Sequence, residues 1–193
     1  LFKFFWMFDL EFIIVTFNRP KYLNETLESF IGINRNFDTR LIILDGGHDN
    51  YFEEINGIKI NTSQVYKNFV KINKCKKIIE YKQYNNNGNW HEIISDYVNN
   101  LSNANYFAII GDDDIFLNFS GFEKAINLSK ENFKKEDIGI INLFYQDNTR
   151  KNVIPIVDEI IDGLAYVNKF IDFYYLDTQS IMHLYNLNII RKN

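Results

Sequence analysis

The chain has 193 residues, 46% of them hydrophobic, 24% charged and 17% aromatic, with a formal net charge of -4. That balance excludes bulk disorder, and Gly 9 and Pro 2 with no heptad array exclude collagen-like and coiled-coil chains. A lone cysteine, Cys75, excludes a disulfide framework and a cysteine zinc site, and the acidic balance argues against a nucleic-acid partner bound through its phosphate backbone.

The opening LFKFFWMF is apolar but is closed by Asp9 and Glu11. It falls short of the roughly 20 apolar residues that cross a bilayer, as does every other run in the chain. It reads as an edge strand or the remains of an upstream segment. The chain starts at Leu1, and its last strand-like run, Ile181 to Ile190, has no clear stop, so a longer natural protein is expected.

Phe12-Ile13-Ile14-Val15 has the length and character of a buried strand. It ends in Thr16-Phe17-Asn18-Arg19-Pro20, after which Leu23, Leu27, Phe30 and Ile31 recur at helical spacing. Pro20 suits a first helical turn; Asn18 suits either its cap or a ligand contact, and a helix start there favours an anion. A second strand, Leu41 to Leu44, stops at Asp45-Gly46-Gly47. The lysine-rich stretch from Lys67 to Lys82 reads as a solvated face, with a weak strand over 77–81. Asn85 to Asn89 reads as a loop.

Trp90, Ile93, Ile94, Tyr97, Val98 and Leu101 line one face of an amphipathic helix. It leads into the strand Tyr106 to Ile110, which ends in Gly111-Asp112-Asp113-Asp114. Phe122, Ala125, Ile126 and Ser129 suggest a further helix, and Ile138 to Phe144 a further strand. Strands are also expected over Val153 to Val157 and after Met182, with a helix around Leu164 to Ile171.

Apolar strands alternating with helices imply a single α/β domain with a mostly parallel central sheet and helices on both faces. Ligands of such sheets bind beyond the carboxyl ends of the strands, where the loops at 16–19, 45–49 and 112–114 converge if the strands are parallel. Three adjacent carboxylates repel one another unless a cation intervenes. Asp112, Asp113 and Asp114 therefore read as a site for Mn²⁺ or Mg²⁺, whose remaining positions a diphosphate would fill. Asp45, at a second strand end, is suited to accept hydrogen bonds from a nucleobase or ribose, or to form a turn. His48 lies in the loop after it, His91 on the polar side of the helix and His183 in a strand-like run; they form no cluster. The common phosphate-loop and dinucleotide glycine fingerprints are missing.

In order and spacing, Thr16-Phe17-Asn18-Arg19-Pro20, Leu44-Asp45-Gly46-Gly47 and Tyr106 to Asp114 resemble the motifs of family 2 glycosyltransferases of the GT-A fold, over about residues 10–145. The resemblance implies a nucleotide-sugar-binding half over about 10–115 and an incomplete acceptor-side half over about 116–193. It implies that Thr16, Phe17, Asn18, Arg19, Asp45, Asp112 and Asp113 contact a nucleotide-diphosphate sugar. It also implies metal-dependent, inverting transfer of the sugar to a hydroxyl of a glycan or lipid-linked acceptor, in glycan or polysaccharide synthesis. An acidic base comes late in the family; Asp172 and Asp177 match by position, Asp177 being the choice here. The implied location is the cytoplasm, with peripheral contact at the inner face of the membrane as an option. The chain departs from the family at Gly111, which stands where a common form of the motif has its first acid, and in the absence of an arginine from the helix after Asn87-Gly88. Two alternatives stay open: a non-catalytic nucleotide-sugar-binding domain on the same fold, and a receiver-like, Mg²⁺-binding phosphoryl-transfer domain.

Overall fold

The computed structural model describes residues 8–33, 37–75, 78–84, 88–116, 118–120, 122–124 and 126–127, and the backbone of two strands at 140–142 and 183–186. The chain runs β1 (Leu10–Thr16), α1 (Pro20–Ile31), β2 (Thr39–Asp45), β3 (Glu53–Ile55), β4 (Ile58–Ile60), α2 (Thr62–Asn73), β5 (Ile79–Gln83), α3 (Trp90–Asn100), β6 (Tyr106–Gly111), β7 (Ile140–Asn142) and β8 (His183–Asn186). Most of the expected acceptor-side half, including the elements at 153–157 and 164–171 and both Asp172 and Asp177, lies outside the described residues.

One six-stranded sheet has the order β5-β2-β1-β6-β8-β7. β5, β2, β1 and β6 are parallel, and β8 runs antiparallel to both β6 and β7. The pleat sorts side chains by parity. Leu10, Phe12 and Ile14 face α1 and α2 with Leu41 and Ile43, against Leu23, Leu27, Phe30, Val65 and Phe69. Ile13, Ile42, Leu44 and Phe107 face α3 through Ile93, Tyr97 and Val98. Because both faces are covered, these strands are apolar in unbroken runs rather than alternating.

The sheet order also marks the edge at which sheets of this kind bind ligands. From β1 the chain winds outward through β2 to β5, then returns across the other face through α3 to place β6 on the free side of β1. The order therefore reverses between β1 and β6, and open α/β sheets bind ligands at such a switch point. A receiver-like sheet instead places its first strand between the second and third, so that alternative is not the topology observed.

Three differences from the sequence reading have physical causes. Helix α2 runs into the stretch from Lys67 expected to be a solvated lysine face, and the hairpin β3–β4 before it has no counterpart in the sequence reading. Lys67, Lys71 and Lys74 are indeed exposed, but Val65, Phe69 and Val70 form an apolar stripe between them. A capping box between Asn61 and Gln64 starts that helix. Second, the apolar face of α3 is shorter than its spacing suggests. Ile93, Tyr97 and Val98 are buried, whereas Trp90 and Leu101, at the two ends, stay exposed. Third, Asn18 does not cap α1. Arg19 holds the cap position without a side-chain cap bond, Pro20 supplies the first turn, and Asn18 adopts a left-handed backbone.

Candidate functional site at the strand ends

β1, β2 and β6 end together. In register Thr16 faces Asp45, and Val15 faces Gly111, so the loops after all three strands open onto one edge of the sheet. Asp112 follows β6 directly and is buried; Asp113 is about half exposed. The Thr16 hydroxyl donates to Asp112 Oδ2 at 2.8 Å. Arg19 forks across the next two acids, with Nη1 2.7 Å from Asp112 Oδ1 and Nη2 2.8 Å from Asp113 Oδ2. The guanidinium also lies over the Tyr22 ring, 4.5 Å from its centroid.

The acidic loop is held from below. The Thr26 hydroxyl, buried in α1, lies 2.9 Å from the Asp112 carbonyl and 2.8 Å from that of Asp114. The Phe116 amide donates to the Ser29 hydroxyl at 3.0 Å. Phe116, Phe119 and Phe122 then pack around Phe12, at centroid distances of 5.1, 5.4 and 4.7 Å. The loop that carries the carboxylates is thereby anchored to the core at both ends.

The triplet does not act as one group. Asp114 turns back, and its Oδ2 accepts the Gly111 amide at 2.7 Å. Among the described residues no three histidine, cysteine or carboxylate side chains gather closely enough to hold a metal ion. Asp112 and Asp113 do converge on a single cation, the Arg19 guanidinium. Two carboxylates around one positive charge match the donor set that Mg²⁺ or Mn²⁺ takes from a protein when phosphate and water complete its shell, so those two residues fit the group. A Cβ at Gly111 would fall 2.9 Å from Asp113 Oδ1 and from Asp114 Oδ2, so a side chain there would displace those two carboxylate ends.

Burial dominates the electrostatics. It pushes Asp112 up to about 6, against the Thr16 hydroxyl and the Arg19 charge, which both favour ionisation. It also raises Asp114, opposed by the Gly111 amide. The hydrogen bond to Asp113, with both carboxylate charges, raises Arg19 further.

Asp45 forms the second wall. It is buried; Oδ1 accepts the Gly47 amide at 2.8 Å and Oδ2 lies 2.7 Å from the Tyr81 hydroxyl. Burial raises its pKa, and those two donors oppose the rise. Tyr81 also meets Gln83 Oε1, Gln83 Nε2 donates to the Gly47 carbonyl at 2.9 Å, and Tyr66 stacks on Tyr81. Asn18 Oδ1 accepts the His48 amide at 2.9 Å, which closes the β1 loop onto the β2 loop. Gly47 has no space for a side chain, since a Cβ would lie 2.8 Å from the Asn18 amide nitrogen. Phe17 meets the His48 ring edge-on and fills the space above Gly88, whose φ is +78°. The strand ends thus bring together Thr16, Arg19, Asp112 and Asp113 on one side and Phe17, Asn18, Asp45 and His48 on the other. His91 lies apart, against Trp90, and His183 belongs to β8. Asp177 lies outside the described residues.

Sequence reasoning missed Thr26, Tyr81 and Gln83. Thr26 left a trace, as a polar residue beside the Leu23–Leu27 stripe of α1; the other two depend on a strand whose end was placed two residues early.

The chain shares its fold with known structures. S. aureus TarS 1-349 superposes with a TM-score of 0.61 at 13% identity, covering 96% of this chain and 49% of that one. The mannosyltransferase PcManGT from Pyrobaculum calidifontis, in complex with GDP-Man and Mn²⁺, superposes with a TM-score of 0.50 at 8% identity, covering 71% and 35%. The likeness is one of fold. No protein-family model and no curated protein sequence matches the chain. The chain spans about half the length of TarS 1-349 and about a third of the mannosyltransferase. No helix among the described residues is long and apolar enough to cross a membrane.

Proposed function

We propose that the chain is the nucleotide-sugar-binding part of a glycosyltransferase of the GT-A type, using Mn²⁺ or Mg²⁺. The observation that carries this reading is the convergence of Asp112 and Asp113 on one cation at the switch point between β1 and β6. The fold shared with a mannosyltransferase that holds GDP-Man and Mn²⁺ supports it.

On this reading the donor lies across the strand ends, with its diphosphate beside Asp112 and Asp113 and its base toward Phe17 and Asp45. A divalent ion bound there would neutralise the charge that develops on the leaving diphosphate. Thr16 and Thr26 hold the acidic loop, one through the Asp112 carboxylate and the other through its carbonyl, so the carboxylates need little reorganisation on binding. Asp45 is fixed by Gly47 and Tyr81 and presents a buried acceptor to the base. Attack by an acceptor hydroxyl, with inversion and with Asp177 as base, completes the proposal.

Turnover separates an enzyme from a binding domain on the same fold. Incubation with UDP-, GDP- and CDP-sugars and Mn²⁺ should release the nucleoside diphosphate from one of them, and Asp113→Asn should abolish the release. A donor that binds without release would make the chain a binding module. A folded protein that neither binds nor turns over any donor would overturn the proposal.

A further inference from the structure

Arg19 is an odd residue to find at the start of α1. Helix N-termini carry partial positive charge and disfavour cations. The side chain makes no cap bond. It is held there by its two carboxylate contacts and by the Tyr22 face. With 40% of its side chain exposed, it is also free to swing away from the acids without unpacking the core.

Its position coincides with the place a divalent ion would take. Its two terminal nitrogens occupy one oxygen of each carboxylate, at 2.7 and 2.8 Å. The remaining Asp112 oxygen is taken by Thr16. The protein therefore supplies its own cation to the acids. A metal ion entering beside an unmoved Arg19 would make this partly buried group positive, which is costly at low dielectric. A diphosphate reverses that balance. It brings several negative oxygens to the α1 N-terminus, where a freed guanidinium pairs with phosphate in a bidentate fork.

We propose that Arg19 is a built-in counter-cation that competes with the divalent metal for Asp112 and Asp113 and passes from carboxylate to diphosphate when the donor binds. Metal affinity is then low without nucleotide and rises with it, a coupling between two ligands set by one side chain. This rests on the donor-site reading above and adds the order of events within it.

The test uses the full chain, with free Mn²⁺ counted by its electron paramagnetic resonance signal. Arg19→Met removes the charge and keeps a stem over Tyr22. Arg19→Lys keeps the charge but loses the fork. Circular dichroism checks the fold of each. Without nucleotide, Arg19→Met should bind Mn²⁺ at least tenfold more tightly than the wild type. At saturating Mn²⁺ it should bind the preferred nucleoside diphosphate, chosen among UDP, GDP and CDP, at least tenfold more weakly. Arg19→Lys should fall between in both. A residue that merely props up the loop would weaken both ligands together. Equal or weaker Mn²⁺ binding by Arg19→Met overturns the competition, and unchanged nucleotide affinity overturns the hand-over. If neither wild type nor variant retains Mn²⁺ even with nucleotide, the donor-site reading fails and takes this inference with it.

Discussion

Glu11 has no exposed surface, yet it sits in the central strand with four donors around it. Arg40, its register partner on β2, reaches Oε1 through Nε at 2.8 Å and through Nη2. The Tyr97 hydroxyl lies 3.2 Å from Oε2, and the Ser102 hydroxyl meets the same oxygen. Arg40 is also mostly buried, and it further reaches Glu80 and Asn103 at 2.9 Å each and the Tyr97 hydroxyl at 3.3 Å. Removing one member of a buried, hydrogen-bonded ion pair strands the other, which costs about 3–5 kcal/mol. Against a typical total stability of about 5–15 kcal/mol, Glu11→Leu should remove about a fifth of the margin or more. Arg40→Leu should cost a similar amount, because it leaves the Glu11 charge with only two hydroxyls. The double substitution should cost less than either single one, since no charge is then left behind. Urea unfolding followed by far-ultraviolet circular dichroism would read this as midpoint shifts at constant slope. Single variants within about 1 kcal/mol of wild type, or a double variant equal to the sum of the two, would refute the reasoning.

Asp112 is held at about 6 against an ordinary 3.8. A folded pKa above the unfolded one means that its stabilising contribution is complete below about pH 4 and is lost as pH rises through 6, about 3 kcal/mol in all. Asp112→Asn should flatten that part of the stability profile between pH 4 and 8, and parallel profiles would contradict it. Asp45→Ala should weaken nucleotide binding by about tenfold, a loss of one strong hydrogen bond, even in EDTA; unchanged affinity by calorimetry would leave Asp45 as a turn former. Thr26→Val keeps the shape of the side chain but removes the donor beneath Asp112 and Asp114. It should cost about 1–3 kcal/mol in urea unfolding and lower metal-dependent nucleotide affinity; a neutral result in both assays would show that the loop holds itself.

Strands β1, β2 and β6 were legible because burial on both faces leaves continuous apolar runs, and each differs from its run by no more than about two residues. The strand-end loops followed from that. Their contents did not. Three adjacent aspartates look alike in sequence, and only the turn that sends Asp114 to the Gly111 amide separates it from Asp112 and Asp113. Asn18 looked like a cap because cap preference is local, while its observed partner, the His48 amide, is thirty residues away. Glu11 reads only as closing the opening apolar run, and Arg40 carries no reading at all in the sequence. Their pairing depends on the register of β1 on β2, which no single stretch of sequence encodes. Helix α2 was hidden because its buried stripe, Val65, Phe69 and Val70, is narrow and is interleaved with Lys67 and Lys71.

On the proposed reading, a divalent ion and a nucleoside diphosphate meet at Asp112 and Asp113. Calorimetric titration of UDP, GDP and CDP, first with Mn²⁺ and then with EDTA, tests it most directly. One nucleotide should bind saturably, at least tenfold more weakly in EDTA and not at all in Asp113→Asn. Absence of binding by a folded protein, or binding indifferent to both metal and Asp113, would contradict it.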